Sequence, residues 1–449
     1  MTTAARPGGQ PDLPLRDPAG RPSPSQVPWL ALALRAVVVV ATSAAALAVA
    51  APIAAAVRLA RGRADAARYL AGSAVRTLTR LGPTFVKGGQ VLGTRRDLLP
   101  AALCDALSTL HDSVPPLTAE QGARELSTVY GAELGQVFTA VDRVPVASGS
   151  IACVYRGTLR SGEQVAVKLR RPEISARMAA DLALIRHGAA LVARLPMFRG
   201  IPVRELVDHL CASVLGQLDF DRESTSLDRM RANLRSVARV RVPRRRPDAC
   251  RPGCIVMDFV PDLDLDTARR CSPAMRRAFA AATLAVMYQM LFIDGFVHCD
   301  LHPGNLYFTA SGQVVVLDAG FSAQLSERVR RLFAEFFLNM SMGRGVRAAR
   351  VVIESSLGVR PGADVDSFTT AVADLVVRSS GAAAKDFSLM AFATELFDLQ
   401  RRYGISAAPE FVFPLLSLLV VEGTIRDLDP EVDFQAAARP VLMRAVFQR

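Results

Sequence analysis

At 449 residues the chain is longer than the usual single folded unit, and two or three units are expected. Half of it is hydrophobic, 51%, enough for a large core, and the net charge is +12. A basic surface suits anionic lipid, nucleotide or nucleic acid as well as plain solvation, but without zinc-finger spacing or an aromatic–basic RNP string no nucleic-acid partner is expected.

The seven cysteines, Cys104, Cys153, Cys211, Cys250, Cys254, Cys271 and Cys299, are scattered and odd in number. Cys250 and Cys254 lie close together, but no second pair or nearby His completes a zinc set, so reduced cytosolic thiols are expected.

Residues 1–27 are rich in Pro, Gly, Arg and Asp, lack apolar periodicity, and read as a disordered tail. An apolar stretch opens at Trp29, and Val37 to Val57 carries no charge; those 21 residues span roughly 30 Å as a helix, one bilayer crossing. Residues 28–60 are therefore expected to form a transmembrane or membrane-associated helix, with a peripheral or core helix as the alternative. Nearly half of the run is Ala, and Pro52 would kink it, which membranes tolerate. Arg58, Arg61, Arg63 and Arg68 follow at once, so the positive-inside rule places the large C-terminal part in the cytoplasm, where ATP is found. The late start and the length argue against a cleaved signal peptide.

Residues 64–140 read as a helical extension. Gly82-Pro83-Thr84 signals a helix start, and just inside it Lys87 and Gln90 are three apart and share one face. Pro115-Pro116 interrupts the helical pattern, which resumes after Thr118. From Val144 the period becomes that of strands. A small-residue loop, Ala147-Ser148-Gly149-Ser150, is followed by a turn at Ser161-Gly162 and by Val165-Ala166-Val167-Lys168-Leu169. Val165, Val167 and Leu169 alternate with Lys168, so one strand face is core and the other carries the Lys. A loop rich in backbone donors followed by a strand Lys is the phosphate-binding hairpin of a kinase N-lobe. Helices are expected up to about residue 235, and among their acids Glu223 is the candidate to hold Lys168. Arg244, Arg245 and Arg246 decorate a loop. Residues 255–260 read as a strand entering the hinge between lobes, where the backbone of Asp258 and Val260 would meet an adenine edge. Residues 272–296, 326–345 and 411–423 read as helices, the last too short to span a membrane and so a core element.

Residues 298–305 read His-Cys-Asp-Leu-His-Pro-Gly-Asn and residues 314–320 read Val-Val-Val-Leu-Asp-Ala-Gly. Asp300 and Asn305 are five positions apart, and Asp318 follows thirteen positions later, the layout of a kinase catalytic loop and its metal-binding Asp. Phosphoryl transfer needs a carboxylate beside the attacking hydroxyl, which Asp300 supplies. It also needs hard oxygen ligands for Mg²⁺, which Asn305 and Asp318 supply. A polar turn before a buried strand is the bland alternative, and three such residues at this spacing argue against it. His302 stands where kinases carry a catalytic-loop Lys, in position for a phosphate contact or a structural hydrogen bond. Cys299 falls inside the loop, within reach of an electrophile.

Together these motifs resemble the UbiB/AarF/ADCK family of atypical kinases, over roughly residues 78–435. Lys87-Gly88-Gly89-Gln90 is similar to the family's KxGQ signature, Ala147 to Ile151 to its Ala-rich loop, Asp219 to the second acid of its ExD signature, and residues 298–305 to its HxDxHPGN loop. The resemblance implies an α+β, bilobal protein-kinase-like fold: an N-lobe over residues 141–262, a C-lobe over 263–449, and the helical extension laid over the active site. It implies ATP and Mg²⁺ as cofactors, with Ala147, Ser148, Gly149, Ser150, Lys168, Glu223, Asp258 and Val260 on the nucleotide. Lys87, Gln90, Gln217 and Asp219 would line a regulatory cleft closed to peptides. It also implies membrane lipid or isoprenoid-lipid intermediates, and lipid-biosynthesis enzymes, as partners. Three departures stand out. The first acid of ExD is Gln217, the Phe of Asp-Phe-Gly is Ala319, and Gly149 replaces an Ala of the loop. The first two favour a nucleotide-binding scaffold without turnover as the alternative function, and the third would relax nucleotide selectivity. A small-molecule phosphotransferase is a further alternative, which the KxGQ segment argues against.

Overall fold

The computed structural model describes residues 29–93, 101–107, 109–110, 115–172, 174–192, 207–208, 211, 214–380 and 387–447; the tail expected over residues 1–27 lies outside them. The chain enters as a helical hairpin. Helix α1 (Trp29–Arg61) and helix α2 (Arg63–Leu81) meet at Gly62, whose φ of 91° is the left-handed geometry that a one-residue reversal requires. The half-shielded or buried positions of α1 recur every three or four residues, as at Arg35, Val39, Thr42, Ala46, Ala50 and Ala54, and this small-residue seam lies along α2. At the seam's start Arg35 Nε bonds Asp181 Oδ1 at 2.6 Å, and its NH2 donates to the carbonyl of Leu81 at 2.6 Å.

Helix α3 (Pro83–Gly93) and helix α4 (Ala101–Leu107) close a small core of Val86, Leu107 and Leu110 against Val75 and Leu78 of α2. A methyl group on Gly89 would sit 2.5 Å from Leu110 Cδ1 and 2.9 Å from Leu78 Cδ1, so any larger residue would have to push these leucine ends aside.

The N-lobe is an antiparallel sheet in the order β1 (Phe138–Val141), β3 (Ala152–Leu159), β4 (Gln164–Arg170), β6 (Cys254–Asp258), with β2 (Ala147–Ser148) also paired to β3. Val165, Val167 and Leu169 are fully buried on one face, in a core with Leu126 and Tyr130 of helix α5 (Ala119–Tyr130). Thr118 and Gln121 form a capping box that starts α5. Tyr130 OH at its end donates to the carbonyl of Ala249 at 2.6 Å. The stretch expected to be helical to residue 140 continues through short helical turns to Val137 and gives way to the first strand at Phe138. Helix α5 packs on the N-lobe sheet, and β1 begins at Phe138 because Phe138 and Tyr130 pack edge to face in that core.

Helices follow β4. Helix α6 (Ile174–Val192) carries Asp181 towards α1 and packs on α3, and helix α7 (Phe220–Asn233) carries Glu223. The C-lobe is mainly helical: α8 (Pro273–Tyr288), a π-helical turn over Gln289–Asp294, α9 (Glu327–Ser341), α10 (Gly345–Glu354), α11 (Val365–Ser380), α12 (Leu389–Tyr403), α13 (Pro409–Leu428) and α14 (Phe434–Phe447). Leu415, Leu418, Leu419, Val421 and Ile425 of α13 are all buried, so this apolar helix is a core element. Short strands frame the cleft. Strand β7 (Phe296–His298) pairs with β10 (Ser322–Gln324), and β5 (Val240–Arg241), β9 (Val314–Val316) and β8 (Leu306–Phe308) form a second sheet. Residues 299–305 are thus the loop from β7 to β8, and Asp318 lies between β9 and β10.

Candidate active site

Because the odd positions of β4 face the α5 side, Lys168 faces the cleft, directly across from Ile255 of β6 and Val154 of β3. Its Nζ lies 2.5 Å from Glu223 Oε1 and 3.0 Å from Asp318 Oδ2, with the Phe220 ring centroid 5.5 Å away. Asp219 caps α7 by accepting the N–H of Arg222 at 3.0 Å, which places Glu223 one turn inside the helix. Burial alone would lower the Lys168 pKa, but Asp318 and Glu223 outweigh it and hold the ammonium above its usual range. Burial pushes Glu223 up to about 7, with the Lys168 ammonium opposing. For Asp318 burial would act upward, but Lys168 and the Gly320 N–H hold the carboxyl well below the usual range.

Asp318 adopts φ 52°, a left-handed conformation that a short polar side chain tolerates, and its Oδ1 accepts the Gly320 N–H at 3.0 Å. A methyl group on Gly320 would stand 3.0 Å from Asp318 Oδ1 and 3.4 Å from Glu223 Oε2, so glycine leaves the two carboxylates the tight space they occupy. His298 ties the two halves of the site together. Its Nε2–H donates to the Leu317 carbonyl at 3.1 Å, and its Nδ1 accepts the Asp300 N–H at 3.1 Å, which requires the neutral ring. Burial lowers its pKa from 6.5, against the opposing charge of Asp300. Ser417 of α13 donates to the His298 carbonyl at 2.6 Å. Asn305 Nδ2 donates to the Asp300 carbonyl at 2.9 Å, so its Oδ1 is the atom left for a metal. His302 Nδ1 accepts the Gly304 N–H at 2.9 Å, and its Nε2 stands 3.9 Å from Asp300 Oδ2. Among the described residues no cluster of three His, Cys, Asp or Glu side chains forms a metal cage. Asp318 with Asn305 is the sparse oxygen set that Mg²⁺ accepts when phosphates complete its shell.

The loop over the cleft is fastened by Arg171. Its Nε donates to the Gly149 carbonyl at 2.9 Å, and its NH2 reaches Ser148 Oγ and the Pro115 carbonyl, each at 2.8 Å. Ser150 Oγ is buried without a hydrogen-bond partner, a donor suited to a phosphate oxygen. A methyl group on Gly149 would meet only the Ala152 carbonyl, at an ordinary 3.6 Å. At the hinge, Asp258 pairs with Arg246 at 2.9 Å, and its N–H donates to the Arg244 carbonyl at 2.9 Å. Any adenine contact there falls to its carbonyl or to Val260.

The ABC1 atypical kinase-like domain matches residues 109–348, and the UbiB helical domain matches residues 372–433. Two relatives, from Pseudomonas paraeruginosa and Pseudomonas aeruginosa and each called a probable protein kinase UbiB, are 31% identical over 380 residues, which cover 83% of this chain and 71% of theirs. The chain belongs to the UbiB family of ABC1 atypical kinase-like proteins. The Mycobacterium tuberculosis protein Rv3197, whose structure was solved as a complex with erythromycin, shares the fold: TM-score 0.57 at 20% identity, over 80% of this chain and 90% of that one.

Within this UbiB-family fold the remaining expected residues are placed as follows. Lys87 is buried in α3, and Gln90 Nε2 donates to the Leu110 carbonyl at 3.0 Å. Lys168, Glu223 and Asp318 are held by one another, by Phe220 and by Gly320. Gln217 lies in the turn before α7, two residues from the capping Asp219. Ala319 is buried, and its carbonyl accepts Ser322 Oγ at 3.0 Å. Against the expectation that an electrophile could reach it, Cys299 is buried, and that burial pushes its thiol up to about 12 and disfavours the reactive thiolate. Arg171, Phe220, Ser417 and the role of His298 were not foreseen from sequence. The first residue of the HxD triplet was the available signal for His298; the others depend on contacts remote in the chain.

Proposed function

We propose that this UbiB-family chain is a membrane-associated atypical kinase or ATPase that uses Mg·ATP on the cytoplasmic side and supports quinone or other isoprenoid-lipid metabolism. The observation that carries the reading is the closed cluster of Lys168, Glu223 and Asp318, in which one ammonium is held between two carboxylates 2.5 and 3.0 Å away. Such a cluster keeps the Lys pointed at the α/β phosphates and Asp318 beside the metal position. Asn305 and Asp318 would hold Mg²⁺, which supplies charge neutralisation on the phosphates when bound. Ser150 and the backbone of Ala147, Ser148 and Gly149 would donate to phosphate oxygens, and Asp258 and Val260 would meet the adenine edge. Asp300, oriented through His298, would take the proton of the acceptor hydroxyl or of water, and His302 would face a phosphate oxygen. Membrane lipids, isoprenoid-lipid intermediates and enzymes of lipid biosynthesis are the partners this reading carries.

The test is ADP release from Mg·ATP, with and without anionic liposomes, for wild type beside Asp300→Asn and Asp318→Asn. Turnover lost in both variants supports phosphoryl chemistry at this site. Turnover no higher than in the variants, with folded protein, sinks it. Gln217 and the buried Ala319 favour the second reading, a nucleotide-binding scaffold, for which ATP binds and no ADP appears. Labelled phosphate reaching a soluble hydroxyl compound but never water would instead indicate a small-molecule phosphotransferase.

A further inference from the structure

Helix α1 is long and apolar enough to cross a bilayer, and only 6% of its apolar window is buried, so it is no core helix. Its two ends, however, are both returned to the protein. Near its start Arg35 is bonded to Asp181 of α6 and to Leu81 at the end of α2, and at its far end Gly62 turns the chain straight into α2. A single crossing by α1 would oblige α2 to cross back alongside it. Helix α2 carries Arg63, Asp65, Arg68, Arg76 and Arg80 in 19 residues, a composition the hydrocarbon core rejects. The pair has a different character as a unit. Helix α1 exposes Trp29, Leu34, Val37, Val40, Leu47 and Leu59, whereas α2 supplies a polar outer face that includes the exposed Arg68, Arg76 and Arg80. At the turn, Arg58, Arg61 and Arg63 are exposed and have no carboxylate partner among the described residues.

We infer that the α1–α2 hairpin is a monotopic docking element. Helix α1 lies in the plane of an anionic membrane surface with its apolar face among the upper acyl chains, α2 stays on the water side, and the arginines at the turn meet lipid phosphates. This reading rests on the membrane association proposed above and replaces a spanning α1 with an interfacial one. The anionic surface is favoured as occupant because the cations stand at the edge of the apolar face, where head groups meet chains. A second copy of the chain would bring an equally basic hairpin against it.

Trp29 is the only tryptophan of the chain and lies on α1, 73% exposed, so intrinsic fluorescence of the full-length protein reports docking directly. Vesicles containing phosphatidylglycerol are expected to shift its emission to the blue, with an affinity on the order of tenfold higher than for phosphatidylcholine alone. Arg58→Glu with Arg61→Glu and Arg63→Glu is expected to abolish that preference with the fold intact by circular dichroism. For depth, Leu47→Trp in a Trp29→Phe background is titrated into vesicles brominated at different chain positions. Strongest quenching by bromines near the head group is expected. Strongest quenching by bromines near the chain end would overturn the interfacial placement while leaving membrane association standing. No vesicle binding overturns both, and a concentration-dependent dimer that buries Trp29 would identify a second copy as the occupant. ADP release measured without vesicles reports separately on the nucleotide chemistry.

Discussion

The cluster around Lys168 joins one cation to two buried or half-buried carboxylates, so its balance is fragile at the level of single residues. Lys168→Met leaves Glu223 and Asp318 facing each other without a cation, and is expected to lose nucleotide binding and about 3 kcal/mol of stability. Adding Glu223→Gln to that variant removes one stranded charge and is expected to restore part of the stability but none of the binding; denaturant unfolding beside nucleotide titration checks both. His298 sets a pH limit. Its folded pKa lies below the 6.5 of the unfolded chain, so below that pH unfolding takes up a proton and stability is lost as pH falls. Glu223, raised from 4.5 to about 7, acts in the opposite sense, its stabilisation fading as pH rises through that window. Comparing melting curves of wild type and His298→Asn cancels the Glu223 contribution. Relative to the variant, the wild type is expected to lose up to about 1.4 kcal/mol per pH unit on acidification below 6.5. An unchanged difference between the two curves would mean that His298 is not held neutral.

At the scale of elements, strand β4 and its neighbours were legible because a two-residue period sends Val165, Val167 and Leu169 one way and Lys168 the other. The buried helix α13 was legible because its apolar run, Phe411 to Val421, is too short for a bilayer, although the helix itself extends from Pro409 to Leu428. The place of α5 was not, since its amphipathic face is equally compatible with the KxGQ extension and the N-lobe sheet; Tyr130 reaching Ala249 decides it. The loop over the cleft was read as a backbone element, yet it is held by a side chain, Arg171, donating to three acceptors. Arg171→Ala is expected to raise the KM for ATP about tenfold, from the loss of two or three hydrogen bonds, with little change in melting temperature. Arg171→Lys is expected not to rescue it, because an ammonium lacks the planar fork that spans the three acceptors. A KM unchanged in both variants would show that the loop holds its shape without this clamp. Gly149 adds no strain here, and the Ala common in the family fits its space.

For the whole molecule, the Arg35–Asp181 pair is a part-buried polar contact that fastens the N-terminal hairpin to the kinase-like body. Asp181 is fully buried, so Asp181→Ala is expected to cost about 3 kcal/mol and to open the chain near Gly82 to limited proteolysis. Arg35→Ala/Asp181→Ala is expected to cost less than the sum of the single changes, and a strictly additive cycle would deny the coupling. What the sequence determined by itself was local: the spacing of Asp300, Asn305 and Asp318, the strand Lys, the KxGQ helix, and hence the family and its bilobal fold. Those features lie within a few turns or one hairpin, where helical and strand periods place side chains. Tertiary packing decided the rest. Lys168 meets Asp318 across 150 residues and Arg35 meets Asp181 across 146, and no period relates such positions. Whether an apolar helix crosses a bilayer or folds back on its protein depends on where its ends are tied, and only the packed chain fixes the ends.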